Sequence, residues 1–270
     1  MSTAPPSSVS PLRRDDVSGV ATLTLQSPAS RNALSLAMIE ALIDAFAAIE
    51  IERATHVVVL AGAGPALSAG HDLKELQAHR NDGDRGRAFF ERVMTRCSAL
   101  MRAVVALPKP VVAAVEGVAT AAGCQLVAAC DLAIAGAGAR FALPGVSIGL
   151  FCSTPLVAVG RAVSRKHAME MALTGDLCDA QTAERFGLVN RVVPAGAALA
   201  EAHSLAQRIA ARSATTLAIG KRTFYRQVEM PLDEAYALAT RAMVENLLHA
   251  DSAEGAAAFL DKRPPHWEGA

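Results

Sequence analysis

The segment at residues 111–131, VVAAVEGVATAAGCQLVAACD, constrains the fold and function of this chain more than any other. An apolar run meets Glu116 and Gly117, small residues follow, and a second apolar stretch ends at Cys130. This pattern predicts a buried strand, a tight turn and a helix whose first turn is built from Ala and Gly. Small residues there would let a ligand approach the backbone closely. Because the first N–H groups of a helix lack partners within it, such a helix start can bind negative charge.

The composition fits a large globular domain and argues against several classes of partner. The chain has 270 residues, 52% of them hydrophobic, which is enough for a substantial core. The formal net charge is 0 and aromatic residues make up only 4%, so we expect no nucleic-acid partner. No apolar run reaches about 18 residues, so we expect no membrane span. Five cysteines without CxxC spacing favour reduced thiols.

The N-terminal residues 1–16 are polar and rich in Pro and Ser, which predicts a loose tail without a secretory signal. Arg13 and Arg14 are typical of an organellar transit peptide, but Asp15 and Asp16 follow them directly. We therefore expect a cytoplasmic protein, while an organellar location stays open.

The rest of the chain alternates strand and helix patterns and then becomes wholly helical. Strands are predicted at 19–25, 56–60, 111–115, 132–135, 140–143 and 188–193. Helices are predicted at 36–49, 89–107, 124–130, 155–162, 165–173 and 180–186, and from 197 onward, with Pro231 and Ser252 starting the last two. This order predicts an α/β core at residues 17–195 and a helical appendage at 196–270 that packs on a neighbouring subunit.

Three familiar sequence motifs are incomplete or absent in this chain. Gly62 and Gly64 begin a dinucleotide-binding pattern, but Leu67 stands at its third glycine. Gly220-Lys221 lacks the flanking residues of a P-loop. The seven histidines show no metal-binding spacing, so we predict no metal site. His71 stands out only by its position, in a small-residue loop before a helix, where a solvated or hydrogen-bonded side chain is the ordinary interpretation.

A serine-hydrolase interpretation rests on the G-x-S-x-G match around Ser147. Asp176 or Asp179, followed by His203, would complete a catalytic triad in the right chain order. A nucleophile elbow needs a strand running into the serine and a helix leaving it. Pro144 interrupts the approach and Pro155 is the earliest helix start, so a loop is the favoured interpretation.

Taken together, the motifs resemble those of the crotonase superfamily, the enoyl-CoA hydratases and isomerases. The resemblance covers about residues 17–265, and its motifs are weak singly but specific as a set. They are RNAL at 31–34, SAGHDLK at 68–74, KPVVAAV at 109–115, AGCQL at 122–126, CD at 130–131, RFA at 140–142, LTG at 173–175 and FLDKR at 259–263.

This resemblance implies a fold, a ligand and a set of site residues. The fold is a spiral of ββα units with a C-terminal helical region that forms trimers, often paired into hexamers. The ligand is an acyl-CoA thioester, so coenzyme A arrives as part of the substrate and no cofactor is permanently bound. Its carbonyl oxygen would lie between the backbone N–H groups of His71 and Ala122, an oxyanion hole that stabilises a thioester enolate. The residues implied to contact coenzyme A are His71, Asp72, Leu73, Lys74 and Ala122, with Phe259 and Lys262 from a neighbouring subunit.

The chain departs from the family where hydratases carry their two catalytic glutamates. Gln125 and Gly145 occupy these positions. Losing a general acid or base typically costs about 10²–10⁴-fold in rate. The resemblance thus implies a lyase of fatty acid metabolism with weak or atypical activity, and a non-catalytic acyl-CoA binder or assembly subunit is the alternative. Substitute groups would be Glu75, Glu91, His71, Cys152, Ser153 and Thr154, each expected to be structural or solvated, as are Glu116, Asp131 and Asp176.

Overall fold

The computed structural model describes residues 10–268. Its strands are β1 Leu12–Val17, β2 Val20–Leu25, β3 Val57–Gly62, β4 Ala66–Ser68, β5 Val111–Val115, β6 Val118–Thr120, β7 Leu132–Gly136, β8 Arg140–Ala142, β9 Cys178–Asp179 and β10 Arg191–Val193. Its α-helices are α1 Leu36–Ile51, α2 Leu73–Ala78, α3 Arg87–Ala106, α4 Ala122–Ala129, α5 Ser153–Ala162, α6 Arg165–Thr174, α7 Ala180–Phe186, α8 Ala198–Ala210, α9 Ala214–Gln227, α10 Leu232–Leu247 and α11 Ala250–Leu260. Short 3₁₀ helices occupy Pro28–Ser30, His79–Asn81 and Pro144–Ile148.

Two sheets organise the core. The larger has the strand order β1-β2-β3-β5-β7-β10, and the smaller has the order β4-β6-β8-β9. Three times, a strand of the larger sheet is followed by a strand of the smaller sheet and then by a helix. Strands β4 and β6 are parallel neighbours, with Ser68 opposite Ala119. The segments that follow them therefore leave the same edge of the smaller sheet side by side, and this edge becomes the candidate site.

The central strands are buried on both faces, as expected of parallel strands covered by helices. In β3, Val58 and Leu60 belong to the main apolar cluster with α1 and α3, while Val57 and Val59 face a second cluster. Helix α8 covers that second face with its buried alanines Ala198, Ala202 and Ala206. The predicted helical appendage at 196–270 thus begins with a helix that belongs to the core.

Three expectations from the sequence are corrected by the fold. Residues 12–16, expected in a loose tail, pair with β2 as the antiparallel edge strand β1, while residues 1–9 lie outside the described part of the chain. Strands β4 and β6 were absent from the pattern because three-residue strands are too short to show an alternation. The last helix is capped by His249 rather than Ser252, since the imidazole accepts a hydrogen bond from the N–H of Asp251 at 3.3 Å.

A buried ion pair holds the C-terminal helices to the core beneath residues 111–131. Lys221 on α9 lies 2.7 Å from Asp131 and also donates to the carbonyl oxygens of Val104 and Lys109, each at 3.1 Å. Asp131 accepts a further hydrogen bond from the N–H of Val111 at 2.7 Å. Burial lowers the pKa of the Lys221 ammonium, and the Asp131 carboxylate opposes that shift. The predicted structural role of Asp131 agrees with this arrangement.

Glu116, which we expected to be structural or solvated, caps a helix. Its carboxylate accepts a hydrogen bond from the N–H of Ala198 at 2.9 Å, at the first residue of α8. A negative charge at a helix N-terminus is favourable, because it meets unpaired N–H groups and the positive end of the helix dipole. The contact ties the end of β5 to the helix that covers the sheet.

Candidate active site

The start of α4 is built from small residues because a neighbouring backbone passes close to it. Ala121, the residue before the helix, has φ 50° and ψ −119°, which turns the chain sharply from β6 into α4. A Cβ atom on Gly123 would lie 2.2 Å from the carbonyl oxygen of Ser68 in β4. The glycine at this position is therefore required for packing against β4, whereas the sequence suggested that it makes room for a ligand.

The loop after β4 meets this helix start at Gly70. Gly70 has φ +91°, and a Cβ atom there would lie 2.9 Å from the Cβ of Ala121 and 3.3 Å from the nitrogen of Ala122. Thr120 adds a hydrogen bond from its hydroxyl to the carbonyl of Ala69 at 3.2 Å. The residue after Gly70 and the first residue of α4 are thus held next to each other.

Two backbone N–H groups are left unpaired at this junction. Among residues 10–268, no hydrogen-bond acceptor faces the N–H of His71 or that of Ala122. Ala122 is the first residue of α4, so the helix itself offers its N–H no acceptor. Two fixed donors beside a helix N-terminus can stabilise an oxygen that carries or develops negative charge.

The RNAL segment at 31–34 fixes the other side of the loop. Asn32 is fully buried, with φ 52°, and its amide donates to the carbonyls of Ala63 and Ala66 at 2.9 and 2.8 Å. Its side-chain oxygen accepts from the N–H of Ser27 at 2.8 Å. The amide thus satisfies several buried backbone groups around β4, a role that sequence reasoning did not assign to Asn32. The signal in the sequence that could have indicated this role is an Asn within a loop, because Asn adopts the left-handed backbone conformation more readily than most residues.

The side chain of His71 is half-buried and points toward this segment. Its Nδ1 lies 3.4 Å from the carbonyl oxygen of Leu34, whose N–H in turn donates to the carbonyl of Gly70 at 2.7 Å. Nδ1 therefore carries the proton, and Nε2 is buried without a partner. Burial lowers the pKa of His71, with the Leu34 carbonyl opposing, so the ring is neutral at pH 7. The predicted hydrogen-bonded loop side chain is found.

The two positions of the missing glutamates differ sharply in their surroundings. Gln125 is 3% exposed and its Oε1 has no partner. At Gly145, a Cβ atom would lie 2.5 Å from the carbonyl oxygen of Leu150 and 2.9 Å from Sγ of Cys152. The N–H of Leu150 also donates to the carbonyl of Gly145 at 2.9 Å. The loop after the 3₁₀ helix is therefore folded back over Gly145, and a larger side chain requires it to open.

The carboxylates that could replace the missing glutamates already accept hydrogen bonds or lie in an ion pair. Glu75 accepts a hydrogen bond from the N–H of Leu36 at 3.0 Å, where it stabilises the start of α1. Glu91 is exposed and lies 3.5 Å from Arg87 in the first turn of α3. Asp72 caps α2 by accepting from the N–H groups of Lys74 and Glu75, at 2.9 and 3.2 Å. None of these contacts leaves a free carboxylate beside the two unpaired N–H groups.

The remaining candidate side chains are neutral. Ser153 and Thr154 lie in the first turn of α5 rather than in a loop, and the Ser153 hydroxyl donates weakly to the carbonyl of Phe151 at 3.5 Å. Burial raises the pKa of the Cys152 thiol, and the backbone of Gly145 opposes that rise. All five cysteines are free thiols, as the sequence predicted. Among residues 10–268, the side chains considered as substitute acids or bases are therefore either engaged in other contacts or uncharged.

The serine-hydrolase interpretation is wrong for this fold. Ser147 lies within the 3₁₀ helix Pro144–Ile148, so no strand runs into it and no elbow forms. His203 lies on α8, with its Nε2 2.9 Å from the hydroxyl of Thr22 on β2. Asp179 caps α7 by accepting from the N–H of Thr182 at 2.7 Å. No hydrogen bond within residues 10–268 joins these three groups.

Four of the positions predicted to contact coenzyme A lie on the surface, whereas Ala122 is buried. Leu73 and Lys74 are exposed at the start of α2, one residue beyond the Asp72 cap. Phe259 is 82% exposed near the end of α11, and the exposed Lys262 follows it with φ 54°. Their contact with a ligand or a neighbouring subunit stays a prediction. In the described part of the chain, no helix is long and apolar enough to cross a membrane, and no His, Cys, Asp or Glu side chains group as metal ligands.

Comparisons with known proteins agree in fold and sequence. A family model described as "Enoyl-CoA hydratase/isomerase" matches residues 15–270. Enoyl-CoA hydratase domain-containing protein 3, mitochondrial, from Rattus norvegicus is 47% identical over 249 residues, which cover 92% of this chain and 81% of the relative. A crystal structure of enoyl-CoA hydratase from Mycobacterium smegmatis superposes with a TM-score of 0.90 and 46% identity, covering 95% of this chain and 98% of the other. The crystal structure of human enoyl-CoA hydratase domain-containing protein 3 superposes with a TM-score of 0.90 and 43% identity, covering 95% of this chain and 100% of the other. The mixed α/β fold with its two largely parallel sheets is therefore that of the crotonases, and the chain belongs to the enoyl-CoA hydratase/isomerase family.

Proposed function

We propose that this protein binds an acyl-CoA thioester and polarises its carbonyl group, as an enoyl-CoA hydratase-like member of the crotonase family. The thioester oxygen accepts hydrogen bonds from the N–H groups of His71 and Ala122. The observation that carries the proposal is the junction at Gly70, which holds these two unpaired donors side by side. Charge that develops on the oxygen of an enolate is stabilised there, and one such donor is worth about 2.7–4 kcal/mol in other enzymes.

Coenzyme A enters as part of the substrate and extends along residues 71–74. In this proposal Phe259 and Lys262 of a neighbouring subunit contact its adenine or phosphate end, so the active form is a homotrimer or a hexamer of two trimers. The exposed apolar side chains on the C-terminal helices support such an assembly, because an apolar surface of this extent is typical of protein contacts. They are Phe224, Val228, Leu232, Tyr236, Met243, Val244, Leu247, Leu248, Phe259 and Leu260.

Ordinary hydration of an enoyl-CoA is expected to be weak. The neutral Gln125 amide does not act as an acid or base near neutral pH, and Gly145 has no side-chain functional group. Each lost acid or base removes about 10²–10⁴-fold in rate, while the backbone donors do not depend on which side chains stand at 125 and 145. The expected activity is therefore polarisation of the thioester with slow or atypical proton transfer.

A non-catalytic acyl-CoA binder or assembly subunit is the second candidate. The closed loop over Gly145 favours it, because Leu150 and Cys152 fill the space that a catalytic side chain would need. The engaged Glu75 favours it too. The two candidates share the thioester site and differ only in whether a product forms.

A binding titration followed by a turnover panel tests the proposal. Acetoacetyl-CoA forms an enolate that absorbs in the near ultraviolet, so an oxyanion hole increases this band on binding. We expect saturable binding with an increased enolate band, and slow or no hydration of crotonyl-CoA. Turnover of any member of an acyl-CoA panel selects the enzyme over the binder. Absence of binding by every acyl-CoA would refute both.

The cellular location stays a prediction. We expect a cytoplasmic location, and an organellar one stays open because the name of the rat relative includes "mitochondrial". Imaging of the full-length chain fused to a C-terminal fluorescent protein distinguishes the two compartments.

A further inference from the structure

Residues 263–268, which follow α11, fold back along this helix and hold it on one face. The guanidinium of Arg263 forms a bidentate ion pair with the carboxylate of Glu254, at 2.6 and 2.9 Å. The same carboxylate accepts a hydrogen bond from the N–H of His266 at 2.8 Å. Paired contacts of this kind fix an orientation as well as a distance. Residues 263–268 are called the clasp below.

The indole of Trp267 anchors the clasp between α11 and the turn that joins α8 to α9. Its Nε1–H donates to the carbonyl of Ala211 in that turn at 2.9 Å. A Cβ atom on Gly255 would lie 3.3 Å from two carbons of the indole, so the missing side chain at this helix position makes room for the ring. The N–H of Glu268 donates to the buried Asp251 at 2.8 Å. The clasp therefore joins α11 to the rest of the helical region at several points.

Lys262, just before the clasp, occupies a backbone position that favours glycine. It has φ 54°, and the N–H groups of Lys262 and Arg263 donate to the carbonyls of Phe259 and Ala258, at 3.3 and 3.0 Å. This pair of hydrogen bonds ends α11 in a left-handed turn, where a Cβ atom is strained. Strained backbone of this kind is typical of functional sites. Among residues 10–268, no carboxylate pairs with the exposed Lys262 ammonium, so its charge is available to an anion outside the subunit.

We propose that the clasp positions Phe259 and Lys262 for their contact with the nucleotide end of coenzyme A. Trp267 and Glu254 are then positioning residues, since they act through α11 and touch no ligand. This inference rests on the proposed acyl-CoA function, in which the two side chains reach a ligand held by a neighbouring subunit. Phe259 lies one helical turn beyond the glycine under the indole, and Lys262 directly precedes the anchored Arg263. Without the clasp this helix end is free to fray, and ordering it on binding costs affinity.

Calorimetric titration with two thioesters that differ only at the nucleotide end tests the inference. Acetoacetyl-CoA carries that end and acetoacetyl-pantetheine lacks it, while both present the same thioester to the two unpaired N–H groups. We expect the unmodified protein to bind acetoacetyl-CoA at least about fivefold tighter, within the range of one net hydrogen bond. In Trp267→Ala the Kd for acetoacetyl-CoA should rise at least about fivefold, while the Kd for acetoacetyl-pantetheine stays within about twofold.

Two further variants separate positioning from general stability. Gly255→Leu displaces the indole by a second route, because its side chain enters the space of the ring while leucine itself favours a helix, and it should show the same loss for acetoacetyl-CoA. Gly196→Ala strains a left-handed backbone position where a Cβ atom meets nothing within 4 Å, so it should keep both Kd values of the unmodified protein.

The outcomes distinguish this inference from the proposed function. If the unmodified protein binds neither thioester, the proposed function fails and the inference falls with it. If it binds them with less than the fivefold difference, or if Trp267→Ala and Gly255→Leu keep the affinity for acetoacetyl-CoA, the inference alone is refuted. An equal loss for both thioesters also refutes it, as does a loss that sedimentation velocity shows to accompany dissociation of the assembly.

Discussion

Replacing Gly70 with alanine should separate the two unpaired N–H groups without removing any polar group of the site. The new Cβ would lie 2.9 Å from the Cβ of Ala121, 3.0 Å from the carbonyl of Thr120 and 3.3 Å from the nitrogen of Ala122. These neighbours are backbone atoms and a short side chain, so the loop must move by a few tenths of an ångström away from α4. The N–H of His71 moves with it, and Ala122 keeps its place in the helix.

Two energies follow from this change. An alanine at φ +91° carries a left-handed strain of about 1–2 kcal/mol, which lowers the free energy of unfolding. Losing the full contribution of one donor would cost about 2.7–4 kcal/mol of oxyanion stabilisation, and a displaced donor costs part of that. We therefore expect acetoacetyl-CoA to bind about ten- to a hundredfold more weakly, with a reduced enolate band.

Gly196 provides a matched control for the backbone strain. It has φ +84°, and a Cβ atom there would meet no heavy atom within 4 Å. Gly196→Ala should lose a similar free energy of unfolding, measured by urea denaturation, while its acetoacetyl-CoA titration stays unchanged. The reasoning is refuted if Gly70→Ala keeps its Kd within about twofold and retains the enolate band. It is equally refuted if the two variants lose affinity together.

Two further predictions concern the closed loop and the C-terminus. Gly145→Ala should lower the free energy of unfolding by about 1–3 kcal/mol, because its Cβ would lie 2.5 Å from the Leu150 carbonyl, whereas Gly138→Ala meets nothing within 4 Å and should be neutral by urea denaturation. Equal free energies of unfolding for the two variants would contradict the conclusion that the loop is closed over Gly145. Arg263 and the N–H of His266 lower the pKa of Glu254 from 4.5 to about 2. Because the folded value lies below the unfolded one, this contact stabilises the C-terminus above pH 4.5 and is lost as the pH falls toward about 2. The fluorescence emission of the single tryptophan, Trp267, should shift to longer wavelength over that pH interval, before the far-ultraviolet circular dichroism changes. The Glu254→Gln variant should show this shift already at pH 7. An unshifted emission spectrum in that variant would contradict the role assigned to Glu254.

The regular elements and the identity of the family could be predicted from residue patterns. Buried parallel strands such as β3 and β5 appear as short β-branched runs, and α1 and α3 show helical spacing of their apolar residues. The set of motifs from 31–34 to 259–263 indicated the crotonase family, which the comparisons confirm. These features are encoded locally, because hydrophobic periodicity and turn residues need no knowledge of distant contacts.

The sequence also indicated which side chains are missing, but it could not show what occupies their space. Gln125 and Gly145 are both visible as departures from the family pattern. Their difference depends on residues that lie several positions away, since the loop folds Leu150 and Cys152 over Gly145 while the buried Oε1 of Gln125 has no hydrogen-bond partner. Introducing a glutamate at 145 therefore looks simple in the sequence and is sterically costly in the fold.

By itself, the sequence determined the helix start at residues 111–131, the order of the longer strands and helices, and the family. Only the tertiary structure decided that β4 and β6 pair in parallel, so that the loop carrying His71 and the first residue of α4 leave the same sheet edge. It also showed that Gly123 serves packing, that Glu75 is engaged at α1, and that Ser147 and His203 have separate contacts. The physical reason is that a free N–H group or an unpaired amide is defined by the absence of a neighbour, and neighbours distant in sequence are fixed only when the chain has folded.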